Sequence, residues 1–98
     1  MAKMLHLPSH RTKLLRATRA FLAAYRDAVG HALTAERAAI AAAHGVGCLI
    51  ARAVGRSQLE YLDASEKIAV LRIAYALTRR HLPTPEELVE SFASALCP

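Results

Sequence analysis

The chain has 98 residues, of which 54% are hydrophobic but only 5% are aromatic, and it contains no Trp. A chain of this length forms one domain with one modest core, and this composition excludes a disordered or collagen-like protein. The formal net charge of +5 favours an acidic protein surface, nucleic acid or an anionic membrane as a partner.

Apolar residues recur with a helical period along the chain, and no β-alternation or hairpin pattern interrupts them. Residues 1–8 are predicted to form an irregular arm. The first long helix is predicted to begin at about Ser9 or Thr12 and to end before Gly30, a residue type that is common just after a helix. One stripe of this helix is expected to face the core, and its members are Leu14, Thr18, Phe21, Leu22, Tyr25 and Val29.

The second helix is predicted to start after the N-cap residue Thr34 and to stop at Gly55. Gly45 and Gly47 complicate this prediction, because each costs about 1 kcal/mol relative to Ala in a helix interior. Either a neighbouring element crosses closely there and the helix continues, or the helix breaks. Small residues also recur at every fourth position of this helix, which predicts close packing within the chain or against a second copy. This small-residue strip consists of Ala39, Ala43, Gly47 and Ala51.

A short helical turn is predicted over Ser57–Leu62. Asp63 and Glu66 form a capping-box pattern ahead of a third helix, which is so apolar that it is expected to be central and largely buried. Thr84 and Pro85 supply the N-cap and first residue of a fourth helix. Together these elements predict a single all-α domain, a compact bundle of about four main helices plus the short turn.

The cysteines and histidines predict neither catalysis nor a metal site. Cys48 and Cys97 match no metal or redox spacing, and Cys48, in an apolar run, is expected to be a buried thiol. No Cys or carboxylate joins the five histidines at ligand spacing, and His44 is expected to be a packing residue. We therefore predict no enzyme activity and no cofactor, in a protein of the reducing cytoplasm.

Basic residues dominate the start of the chain, which has no Asp or Glu before Asp27. Several of its arginines fall on one side of the first helix, and such a row can contact phosphates or an acidic protein surface. The predicted partner- or nucleic-acid-binding residues are Arg11, Lys13, Arg16, Arg19, Arg26, Arg52 and Arg56. The apolar run from Ala38 to Ala51 is shorter than the roughly 20 residues of a membrane span, so no membrane contact is predicted.

Residues 50–57 read Ile-Ala-Arg-Ala-Val-Gly-Arg-Ser. This string resembles the Ile-Ala-Arg-x-Leu-Gly-Arg-Ser pattern of bacterial helix-turn-helix segments, and residues 33–37 resemble the start of the preceding helix in transposase-like members. The resemblance implies duplex DNA binding through a recognition helix over Ser57–Asp63. That segment carries two acidic residues and no Lys or Arg, which suits a phosphate-lined groove poorly.

Two functions are therefore predicted. The first is a small regulatory or inhibitory protein, encoded by a high-GC bacterium, a phage or another mobile element, that acts by protein–protein contact. Its arginine row would dock on an acidic partner while the small-residue strip packs, in one version across the two-fold axis of a homodimer. The alternative is a small helix-turn-helix-like DNA-binding regulator, which the steep salt dependence of duplex binding would distinguish.

Overall fold

The computed structural model describes residues 1–55 and 58–96. Within these residues the chain forms five α-helices and no strand. They are α1 (Ala2–His6), α2 (Arg11–Val29), α3 (Ala35–Val54), α4 (Ala64–Thr78) and α5 (Pro85–Leu96), with 3₁₀ turns at Pro8–His10 and Gly30–Ala32. The predicted all-α bundle with four main helices is confirmed.

The helices α3, α4 and α5 begin at capping residues, and α2 ends at a glycine. Thr34 Oγ1 and Thr84 Oγ1 each accept a hydrogen bond from the backbone amide three residues later, at 3.2 and 3.1 Å. Asp63 and Glu66 form the reciprocal capping box at the start of α4. Gly30 follows α2 with a φ of +51°, a left-handed conformation that favours glycine. Local hydrogen bonding therefore sets these boundaries.

The helix α3 is continuous through both of its interior glycines. Gly45 stays helical because α5 crosses there, and a Cβ on Gly45 would collide with the buried side chain of Leu88. Gly47 has no such neighbour, since nothing lies within 4 Å of the position that its Cβ would occupy. One glycine thus permits an internal helix contact, whereas the other lies on an exposed part of α3.

The core lies where α3, α4 and α5 meet, and α1 closes one end of it. The largest fully buried side chains come from three of these helices and are Phe92, Met4 and Val70. The helix α2 contributes no buried residue and packs on this core through half-buried leucines. Residues 1–8, predicted to be an irregular arm, instead form α1 and the start of a 3₁₀ turn, because Ala2 and Met4 bury their side chains in the core.

Two helices are less buried than their apolar content predicts. Ile68 and Tyr75 of α4 are 58% and 57% exposed, so α4 is not the largely buried central helix that we expected. Phe21 and Tyr25 of α2, expected to face the core, are 65% and 49% exposed. The helix α4 packs one face on α1, α3 and α5 and α2 packs on the outside of the core, so the remaining apolar side chains of both helices meet solvent.

Candidate interaction surface

The arginine row of α2 contacts α5 of the same chain. Arg26 donates from Nε and Nη2 to the two carboxylate oxygens of Glu86 at 3.0 and 2.7 Å, and Arg19 makes the same two-point contact with Glu90. These hydrogen bonds hold the pKa of both glutamates below their usual value. An acidic surface of the kind predicted on a partner is therefore present within the chain, where it holds α2 against α5.

The other predicted basic residues are spread over the molecule. Arg11 donates to the carbonyl oxygens of Met4 at 2.9 Å and Leu96 at 3.3 Å, which ties α2 to the ends of α1 and α5. Three further members are exposed, namely Lys13, Arg16 and Arg52. Arg56 lies outside the described residues. Three of the seven predicted binding residues are thus engaged within the chain.

The small-residue strip lies on the outer surface of α3. Ala39 is half-buried, and the other three members, Ala43, Gly47 and Ala51, are exposed. Beside the strip, Ile40 and Val54 are 51% and 54% exposed. Cys48 and His44, expected to be buried and packed, are exposed as well, because the opposite stripe of α3 faces the core. Cys97 falls outside the described residues.

A groove of about 420 Å³ runs beside the strip. Small residues of α3 line one side of the groove. The end of α4 and the residues that follow it line the other side. Its lining includes Ala39, Ala43, Gly47, Leu77, Arg80 and His81. Because Ala and Gly lack long side chains, the strip is a recess in the surface rather than a ridge.

The flank of α4 beside this groove is apolar and exposed. Thr78 lines the groove, and the helical period places Tyr75, Leu71 and Ile68 on the same flank, three, seven and ten residues earlier. Of the six large apolar side chains that are exposed in the described chain, four lie on α3 or α4. We call the surface made by Ile40, Ala43, Gly47, Val54, Ile68, Leu71 and Tyr75 the α3–α4 face. Large apolar side chains exposed near one another mark interaction sites on soluble proteins.

Basic side chains accompany the α3–α4 face at the end of α4. The exposed members of this basic group are Arg72, Arg79, Arg80 and His81, of which Arg80 and His81 line the groove. Within the part of the chain that the structure describes, none of the four is in an ion pair. The predicted binding residues do not include this group. The sequence does place Arg72 four residues after Ile68 and three before Tyr75, a spacing that puts these three side chains on one side of a helix.

The structure does not contain the predicted helix-turn-helix in its described residues. The helix α3 runs without a break from Ala35 through Gly45 and Gly47 to Val54, so no turn separates two helices within residues 35–54. Arg56 and Ser57, at the end of the matching string, lie outside the described residues. The recognition helix was predicted over Ser57–Asp63, but residues 58–63 are not helical and make one turn, in which the Leu62 amide donates to the Leu59 carbonyl at 3.3 Å. The expected short helical turn over the same region is absent from these residues too, and the next helix begins only at Ala64.

A polar cluster joins α1 to the start of α4. His6 Nδ1 lies 2.9 and 3.1 Å from the two carboxylate oxygens of Glu66, and its ring centroid lies 4.9 Å from that of Tyr61. No group of three or more His, Cys, Asp and Glu side chains is placed to hold a metal ion in the described part of the chain. Since Glu66 also closes the capping box of α4, this cluster is best explained as a structural tie.

A second groove, of about 370 Å³, lies between α2, α3 and α5. Phe21 and Tyr25 flank it with ring centroids 6.2 Å apart, and the charged residues of its lining are the paired Arg26 and Glu86. Its lining therefore offers no charged side chain outside this ion pair that could select a partner.

The helix α3 has the length and composition of a membrane span, with a mean hydropathy of 1.3 in its most apolar 18-residue window. Core helices of soluble proteins meet the same criterion, so this property alone is weak evidence for a span.

No family model matches the chain, and no curated protein or solved structure is significantly similar to it.

Proposed function

We propose that this protein is a small helical regulator or inhibitor that acts by protein–protein contact, and that the α3–α4 face is its contact surface. The observation that carries the proposal is the exposure of four large apolar side chains on α3 and α4, the two helices that contribute to the lining of an open groove. Complete burial of a fully exposed Ile or Val contributes about 1.5–3 kcal/mol, so covering the remaining half of Ile40 or Val54 contributes about 1 kcal/mol. A partner that covers several of these side chains would therefore gain enough free energy for specific binding.

Gly47 supports the same surface. A glycine in a helix interior costs about 1 kcal/mol relative to Ala, and the space around Gly47 is open, so no contact within the described chain requires it. A glycine at an exposed helix position is useful where another backbone must come close. The contact surface thus differs from the arginine row that the sequence predicts, because two of those arginines already hold α5.

Site-specific photocrosslinking in the cells that make the protein tests the proposal. A benzophenone amino acid replaces Ile40 or Tyr75 on the α3–α4 face, and Ala24 or Ser94, which are exposed elsewhere, as matched controls. We expect both face positions to give an adduct with the same protein and the control positions to give none. Adducts that are absent at the face, or equal at all four positions, would contradict the proposal.

Titration of labelled duplex DNA tests the alternative class. The fluorescence anisotropy of the duplex is measured at about 50 and 200 mM salt. We expect it to report only weak, non-specific binding. Tight binding that weakens by roughly 10³–10⁵ over this range, as 6–10 phosphate contacts would produce, would replace the proposal with a DNA-binding regulator. Such a regulator would have to use a surface other than a helix-turn-helix at residues 50–63.

A further inference from the structure

The charge beside the α3–α4 face indicates the class of partner. We propose that this face binds an acidic amphipathic helix, whose apolar side lies along the groove and whose carboxylates reach Arg79, Arg80 and His81. This inference rests on the proposed function and narrows it. It assigns the acidic partner to the end of α4 rather than to the arginine row of α2.

The shape of the groove matches a helix. Helices pack with their axes about 8–10 Å apart, and the smaller residues at the contact allow the shorter distances. The α3 residues that line the groove run from Ala39 to Ile50, which corresponds to about 17 Å along α3. That length is about three turns, the size of an ordinary helix in a globular protein. A partner helix of common length would therefore fill the groove from end to end.

The charges favour an acidic helix over a neutral or basic one. Arg80 and His81 line the groove itself, and Arg79 adjoins them. Arginine binds carboxylates with two parallel hydrogen bonds. The chain already contains such a contact between helices, because Arg26 of α2 binds Glu86 of α5 through two nitrogens. The proposed complex repeats this arrangement with a carboxylate from outside the chain.

Two other occupants fit the surface less well. A second copy of this chain would bring a second Arg80 and His81 to the interface, and the lining of the groove contains no Asp or Glu that could pair with them. An anionic membrane would take up the exposed bulky side chains but would leave the groove over Ala43 and Gly47 unfilled. A helix, with protruding side chains of its own, is the complementary shape.

Two labelled peptides test the inference with the whole 98-residue chain. Both have about 15 residues, the length at which helices become stable in water, and share an apolar face of Ala and Leu. One carries Glu on its polar side and the other carries Lys. We expect the Glu peptide to bind about tenfold more tightly or better, because several charge pairs of 0.2–1 kcal/mol each add up to this factor.

Matched variants identify the surface. The double substitution Arg79→Glu/Arg80→Glu should reverse the preference between the peptides, whereas Lys13→Glu/Arg16→Glu makes the same charge change on α2 and should preserve it. Gly47→Leu should fill the groove and abolish binding of the Glu peptide, with Ala24→Leu as its control. All these positions are exposed, and circular dichroism verifies that each variant folds.

Several results would overturn the inference. These are absence of binding by the Glu peptide, equal binding of both peptides, or equal weakening by the two double variants. Binding to vesicles of anionic phospholipid that Arg79→Glu/Arg80→Glu removes would assign the face to a membrane. A dimer in sedimentation equilibrium that Gly47→Leu dissociates would assign it to a second copy. The photocrosslinking result is independent of the peptides, so the partner class can fail while contact through the α3–α4 face stands.

Discussion

The two interior glycines of α3 should respond in opposite ways to the same substitution. Replacing Gly47 with Ala adds a methyl group into open space and removes the glycine penalty, so the free energy of unfolding should rise by about 1 kcal/mol. Replacing Gly45 with Ala gains the same amount but drives the methyl group into Leu88, which is only 3% exposed. Overpacking of this kind costs about 1–3 kcal/mol, so Gly45→Ala should be neutral or destabilising by up to about 2 kcal/mol.

Urea denaturation followed by circular dichroism measures both changes. With a slope of about 1–3 kcal/mol/M for a small protein, Gly47→Ala should raise the midpoint by roughly 0.3–1 M. Thermal unfolding gives a second readout, since 1 kcal/mol shifts the melting temperature of a domain of this size by about 4–8 °C. Gly45→Ala should leave both midpoints unchanged or lower them.

A double-mutant cycle isolates the contact between Gly45 and Leu88. In a Leu88→Ala background the colliding methyl group is absent, so Gly45→Ala should there recover the stabilisation of about 1 kcal/mol. Gly47→Ala should give the same gain in both backgrounds. The reasoning would be refuted if Gly45→Ala stabilised the native chain as much as Gly47→Ala, or if Gly47→Ala destabilised it.

Three further predictions concern the contacts that hold the helices together. Hydrogen bonds from the α2 arginines lower the pKa of Glu86 and Glu90. The contribution of these carboxylates to the free energy of unfolding is therefore complete above the ordinary value of 4.5 and is lost as the pH falls through the lower folded-state pKa. Urea midpoints between pH 7 and about pH 3 should decrease on the acid side, and a flat profile would contradict this. Thr84→Ala should lower the free energy of unfolding by about 1 kcal/mol in the same titration, whereas Thr84→Ser should retain most of the cap. Glu66→Gln keeps an acceptor for the capping box but weakens the contact with His6, so it should cost about 0.5–1.5 kcal/mol in native chains and much less in a His6→Ala background.

The starts of α3, α4 and α5 and the end of α2 were predictable from the sequence. Thr34, the pair Asp63 and Glu66, and Thr84 all stand where the structure starts a helix, and Gly30 follows the end of α2. Each of these signals acts through hydrogen bonds or backbone conformation within a few residues of the helix end. The donor and the acceptor of each cap hydrogen bond therefore lie within a few residues of each other in the sequence.

The orientation of the helices was not predictable in the same way. The apolar residues of α4 surround the helix almost completely, so the sequence does not show that Ile68 and Tyr75 face solvent. Cys48 lies in a similar apolar run of α3 and faces solvent too. Which side of such a helix becomes buried depends on the neighbours that pack against it, and those neighbours are distant in the chain.

One part of the candidate site was predictable from the sequence, and the other part became visible only in the folded structure. The small-residue strip and its suitability for close packing were read directly from residues 39–51, because a spacing of four residues repeats on one side of any helix. The sequence could not distinguish Gly45 from Gly47, nor show that the carboxylate facing Arg26 belongs to Glu86, 60 residues away. Only the folded chain decides such contacts, since they depend on how separate helices pack and not on any local preference.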